Sequence, residues 1–118
     1  MHPKLAICLS LALALALVTA GGAVAKTYFG VVGPGQTITF KNAKGKTVSR
    51  IKTGTHTIKI DDRSSFHNFH LIGTGVNKKT GVPFVGHKTW TPTFSEGRYR
   101  YRCDSHKLLM KGSFRAVA

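Results

Sequence analysis

The chain has 118 residues, 42% of them apolar, with seven Phe, three Tyr and one Trp. It is too short for a multidomain enzyme and too rich in aromatic and β-branched residues for a disordered tail. Eighteen Lys plus Arg stand against four Asp plus Glu, a net charge of +14. Four acids, two of them the adjacent Asp61 and Asp62, leave little material for carboxylate acid–base chemistry.

The N-terminus opens on Lys4 and an apolar run from Leu5 to Ala20, followed by GGAVA. A basic start, an apolar middle and an A-x-A ending (Ala23, Val24, Ala25) describe a secretory signal peptide over residues 1–25, cut after Ala25. The rival is an uncleaved anchor, because the uncharged stretch of 21 residues from Leu5 to Ala25 is just long enough to span a bilayer. Small residues at its end favour cleavage. Cys8 has no small-residue site before it, which argues against a lipidated N-terminus. The remaining domain, residues 26–118, has 93 residues and a charge of +13, since only Lys4 lies in the leader. It retains a single cysteine, Cys103, so no intramolecular disulfide can form. A leftover cysteine in an exported domain reads as a partner thiol, a reactive group or a metal ligand.

Along the domain, period-two alternation dominates and no helical period is convincing. Strands are expected at Lys26–Val32, Gln36–Lys41, Thr47–Lys52, His56–Ile60, Phe66–Ile72, Lys88–Phe94, Arg98–Cys103 and Lys111–Val117. Turn-rich segments separate them, the longest being a loop from Gly73 to His87. Seven or eight short strands so spaced predict an all-β, antiparallel sandwich. Pro92 has no N–H for a ladder, so it belongs at an edge or a bulge.

Alternation also orients side chains. Arg98, Arg100 and Arg102 must face water, which turns Tyr99, Tyr101 and Cys103 inward. His67, Phe69 and Leu71 share one face, and Asn68 and His70 the other. If the apolar face is the core, His67 points in and His70 out. His70 is then surface polar and the alternative ligand to His67. His56 reads as a strand-end or half-buried histidine, His87 as solvated, and Trp90 and Phe94 as core.

The segment Cys103-Asp-Ser-His106-Lys-Leu-Leu-Met110 places a thiolate, an imidazole and a thioether within eight residues at the end of an inward-facing strand. A loop folding back there can aim all three at one point, and His67 arrives from a separate strand. Two His, one Cys and a weak axial Met form the donor set of blue copper, which suits Cu(I) and Cu(II) alike. Zinc also accepts a His₂Cys set, but a thioether is a poor zinc ligand.

The chain resembles the cupredoxins, the small blue copper proteins such as plastocyanin and pseudoazurin. The resemblance rests on SSFHNFHLIG (Ser64 to Gly73), TWTPTFSEGRYRYRC (Thr89 to Cys103) and CDSHKLLM (Cys103 to Met110), and it runs over nearly all of residues 26–118. The departures are Pro92, at what looks like a β-branched strand position, and Ser105, where a Pro often precedes the second histidine. The resemblance implies a Greek-key sandwich, one type 1 copper held by His67, Cys103, His106 and Met110, and electron transfer without catalysis. It implies that Asn68 bridges the two ligand loops. It also makes His106 the electron port, with Leu108 and Leu109 as an apolar docking patch. No coordination position is left for a substrate, which argues against an oxidase or reductase.

A charge of +13 should steer a monomer in the periplasm or cell envelope toward a redox protein with an acidic surface, or toward an anionic membrane or cell wall. Nucleic acid fits the charge but not the compartment. Scattered basic residues can also serve solubility alone. Two other classes stay open: exported copper storage or delivery with the same ligands, and a metal-free adhesion sandwich.

Overall fold

The computed structural model describes residues 24–118. The leader, its cleavage and Cys8 therefore fall outside the described residues, apart from Val24 and Ala25. Eleven strands follow one another: β1 (Thr27–Val32), β2 (Ile38–Asn42), β3 (Arg50–Lys52), β4 (Gly54–Thr55), β5 (Thr57–Asp62), β6 (His70–Gly73), β7 (Val76–Lys79), β8 (Gly86–Trp90), β9 (Thr93–Phe94), β10 (Gly97–Arg102) and β11 (Lys111–Val117). One 3₁₀ turn, Asp104–His106, separates the last two.

Nine strands build two sheets, one ordered β2-β1-β5-β8 and the other β3-β11-β10-β6-β7, while β4 and β9 pair as a short ribbon. The fold is the expected all-β sandwich, with three differences in detail. Two pairings, β1 with β5 and β11 with β3, are parallel, so the sheets are mixed. Alternation reports which face a residue takes and is silent on strand direction, which is set by crossovers of the chain between sheets. The strand count exceeds seven or eight because β4 and β9 are only two residues long, and because the expected loop from Gly73 to His87 contains β7. That strand is polar on three of its four residues and hairpins onto β6. Finally, the strand expected over Phe66–Ile72 begins only at His70.

The core lies between the sheets. Tyr28, Phe40, Ile58 and Ile60 meet Leu71, Tyr99, Tyr101 and Phe114 there. Phe40 and Phe114 stack across the interior at 4.8 Å and 16°, and Phe69 lies parallel to Tyr101 at 5.6 Å and 6°. Each such side chain contributes ~1.5–3 kcal/mol by leaving water. The sandwich is tight enough to demand glycine at Gly73, where a Cβ would meet the Tyr99 ring at 2.1 Å. Pro92 occupies the break between β8 and β9, and its carbonyl accepts the His56 N–H at 3.2 Å.

Strand β10 alternates as its sequence demands: Tyr99 and Tyr101 are buried and Arg98 and Arg100 exposed, with Arg102 half-buried. The inward face continues into Cys103, which has no exposed surface. The strongest local pattern in the chain thereby delivers the thiol to one end of the core.

Candidate metal centre

Two loops at that end carry the candidate ligands. His67 lies between β5 and β6, while Cys103, His106 and Met110 lie between β10 and β11. Backbone hydrogen bonds fold the second loop onto itself. Cys103 N–H donates to the Met110 carbonyl (3.0 Å), Met110 N–H to His106 (2.9 Å) and His106 N–H to Cys103 (3.1 Å). The 3₁₀ turn reverses the chain within this clasp, so Cys103 and Met110 re-enter the core side by side, both without exposed surface.

Three donor atoms converge. Nδ1 of His67 stands 3.1 Å from Nδ1 of His106, and Sγ of Cys103 stands 3.6 Å from the former and 3.7 Å from the latter. The centre of this triangle is about 2 Å from every corner, the bond length of an imidazole nitrogen to a first-row metal ion. One ring N–H can donate across the 3.1 Å gap between the imidazoles, and a metal ion at the centre would take the place of such protons, since ligands bind in their deprotonated forms. His67 is 6% exposed and Cys103 sealed, while His106 is half-buried.

A polar network behind the triangle holds both loops. The Asn68 Oδ1 accepts the Asp104 N–H (2.8 Å), and its Nδ2 donates to the Thr80 carbonyl (3.1 Å) and to Asp104 Oδ2 (3.0 Å). One amide thus ties the His67 loop, the end of β7 and the Cys103 loop together. Thr80 clasps Phe69 from both sides: its hydroxyl accepts the Phe69 N–H (2.9 Å) and its own N–H donates to the Phe69 carbonyl (3.0 Å). The same hydroxyl donates to Asp62 (3.2 Å). Burial raises the Asp62 carboxyl above the usual carboxylate range, against the lowering effect of hydrogen bonds from Ser64 and Thr80. Burial acts the same way on Asp104, but hydrogen bonds from His70, Asn68 and Arg102 outweigh it and bring that carboxyl to about 2. No buried side-chain nitrogen or oxygen among the described residues lacks a partner.

The structure brings His67, Cys103 and His106 together and leaves His70 out. Asp104 and Asn77 occupy both His70 ring nitrogens, at 2.8 and 2.6 Å. Two orientations differ from the sequence reading. Asn68 is buried, not outward, because the backbone from His67 to Phe69 is irregular and strand alternation starts only at His70. His56 is fully buried, not half-buried: its Nδ1 accepts the backbone N–H of Lys26 (3.0 Å), and its Nε2 donates to the Lys52 carbonyl (2.7 Å). His87 is solvated, Phe94 is buried, and Trp90 packs half-buried against the core.

Around the site the surface carries large apolar side chains. Leu108 and Leu109 are 84% and 72% exposed, and Phe66, next to His67 in sequence, is 77% exposed. Sequence reasoning did not single out Phe66, which lies in the turn just before His67. It also passed over Thr80, Asp62 and Asp104, whose roles depend on contacts between distant segments.

A two-sheet sandwich that gathers two imidazoles and one thiol at one end is the arrangement that the cupredoxin resemblance implied, and the donor set fits one type 1 copper. No family model matches the chain, and no curated relative does. Among solved structures the chain is similar to auracyanin A, a blue copper protein from the green thermophilic photosynthetic bacterium Chloroflexus aurantiacus. The identity is 21%, with 77% of this chain and 98% of that one covered and a TM-score of 0.49. It is also similar to a chain of a heme-copper terminal oxidase dimer, at 20% identity, 85% and 68% coverage and a TM-score of 0.48.

Proposed function

We propose that this chain is an exported blue copper protein that carries single electrons between redox partners and is not an enzyme. The observation that carries the proposal is the triangle of His67 Nδ1, His106 Nδ1 and Cys103 Sγ, sealed on the core side and reaching the surface through His106. Met110 serves as the weak fourth donor: it is buried in the same core cluster as Cys103 and clasped to it through the backbone. Copper, when bound, supplies a one-electron couple that a His₂Cys–Met set accepts in both oxidation states.

The chain's own residues fix that set in advance. Asn68 and the backbone clasp hold the donors at their separations from outside the ligand sphere, as partners behind metal ligands do. A rigid donor set moves little when the charge at its centre changes. His106 provides the route outward, and Phe66, Leu108 and Leu109 exclude water where a partner lands. Such encounters are small and brief. The net charge directs them toward an acidic partner, with rates that fall as salt rises.

Export rests on the N-terminal leader and places the protein in the periplasm or cell envelope. Among the described residues, no helix is long and apolar enough to cross a membrane. Sequencing of the secreted protein should give Lys26 as its first residue.

The decisive experiment is an absorption spectrum with one equivalent of Cu(II). An intense blue band is expected, lost in Cys103→Ser and bleached quickly and reversibly by a one-electron donor. If no such band forms, the copper reading fails. A band that bleaches slowly or irreversibly would assign the site to copper storage or delivery.

A further inference from the structure

The outer face of the five-stranded sheet carries an arrangement that the copper site does not require. The chain has six arginines, and five of them, Arg50, Arg98, Arg100, Arg102 and Arg115, lie on this one face. Lysine, twice as abundant, is spread over both sheets and their loops. Register aligns the arginines. Arg50 on β3 sits opposite Arg115 on β11, which sits opposite Arg98 on β10, so three guanidinium groups form one row across three adjacent strands. Two residues along β10 and four further along, Arg100 faces Ser113 and Arg102 faces Lys111.

Like charges placed directly opposite one another weaken a sheet. Acidic neighbours would relieve the row, yet none does. Arg102 pairs with Asp104 at 3.1 Å, but no ion pair among the described residues involves Arg50, Arg98, Arg100 or Arg115. Solubility alone would be served by scattered lysines. Guanidinium forks in register are suited to two-point recognition of planar anions.

The shape of the face narrows the anion. Arg98, Arg100 and Arg102 line a groove of about 510 Å³ that runs on to Lys107 and Lys111. A groove suits a chain better than a plane, and among the described residues none of the large exposed apolar side chains lies on this sheet face, which argues against a bilayer. Alternate residues of a strand repeat every ~6.8 Å, so carboxylates at alternate positions of an extended peptide match the three arginines of β10 in step. Lys107 directly follows His106, so a segment lying in the groove ends beside the candidate electron port.

We infer that this groove docks an extended acidic segment of the protein that exchanges electrons with this one. The redox character of that partner rests on the electron-carrier reading above; the acidic-peptide site does not.

The test uses a fluorescent peptide of alternating Glu and Ser, read by anisotropy at low and rising salt. Binding is expected, and Arg98→Gln/Arg100→Gln should weaken it about tenfold or more, each lost fork removing a charge-assisted contact. Lys41→Gln/Lys59→Gln, which removes the same charge from the other sheet, should change it less than about twofold by the same reasoning. Arg115→Thr, outside the groove lining, should change binding less than about twofold while raising the thermal midpoint by about 1–4 °C, since it breaks the like-charged row. Equal losses in both double variants would reduce the effect to net charge and overturn the inference. Tighter binding of phosphatidylglycerol vesicles or of a single-stranded oligonucleotide than of the peptide would overturn it as well, as would a lower midpoint for Arg115→Thr. Peptide binding without a blue band on copper addition would leave the groove standing and remove the electron carrier; a blue band without peptide binding would do the reverse.

Discussion

Two regions of the molecule each bury a histidine, and the two are put to opposite uses. At the β4–β5 junction both nitrogens of His56 are taken by backbone groups, the N–H of Lys26 and the carbonyl of Lys52, and the ring packs edge-on to Tyr28 at 5.5 Å. Its lone pair is spent and its one proton is placed. Among the ligand loops, His67 is nearly as buried, yet its Nδ1 faces a second imidazole nitrogen and a sulfur. Burial alone therefore does not mark a functional histidine. The mark is where the ring nitrogens point: toward backbone groups that fix them, or toward a second imidazole and a sulfur with which they form a metal-ligand set.

The comparison breaks most sharply if the two rings are exchanged for alanine. His67→Ala should abolish the blue band entirely, with little change in the stability of the metal-free protein, as checked by absorption and thermal melting. His56→Ala should keep the band and lose about 2–4 kcal/mol of stability, from a cavity and two orphaned backbone groups, as measured by urea unfolding. If His56→Ala bleached the site, or His67→Ala unfolded the protein, the division of roles would fall. Asn68→Ala tests whether the network behind the ligands matters. It should weaken copper retention about 10–100-fold in competition with a chelator, because a partner that orients the ligand loops is lost. The smallest effect belongs to the third kind of histidine, the exposed one. His87 is 82% exposed and 3.9 Å from Asp61; His87→Ala should leave the spectrum unchanged and stability within about 0.5 kcal/mol.

The donor cluster was more legible in the sequence than the scaffold that holds it. Cys103 and His106 sit within one short segment, and the alternation of Arg98 through Cys103 reports its own facing without any knowledge of neighbours. The sandwich was legible for the same local reason. The facing of Asn68 was not legible because residues 67–69 are irregular backbone rather than strand, and parity has no meaning there. The burial of His56 depends on Lys26 and Lys52, and the clasp of Thr80 on Phe69 depends on a polar strand that alternation hides. Three arginines of the basic groove could be read from β10 alone. That Arg115 and Arg50 stand in line with Arg98 is a matter of register, decided by one antiparallel and one parallel pairing.

The contact between Lys26 and His56 carries a consequence for maturation. The Lys26 nitrogen is an amide as long as the leader is attached, and a cut after Ala25 makes it the terminal amine. A terminal amine at Lys26 would still have an N–H to donate to the ring. A peptidase trimming one residue further would delete the donor and leave a sealed imidazole nitrogen with nothing to accept from. One hydrogen bond thus makes the place of such a cut matter to a buried ring 30 residues away.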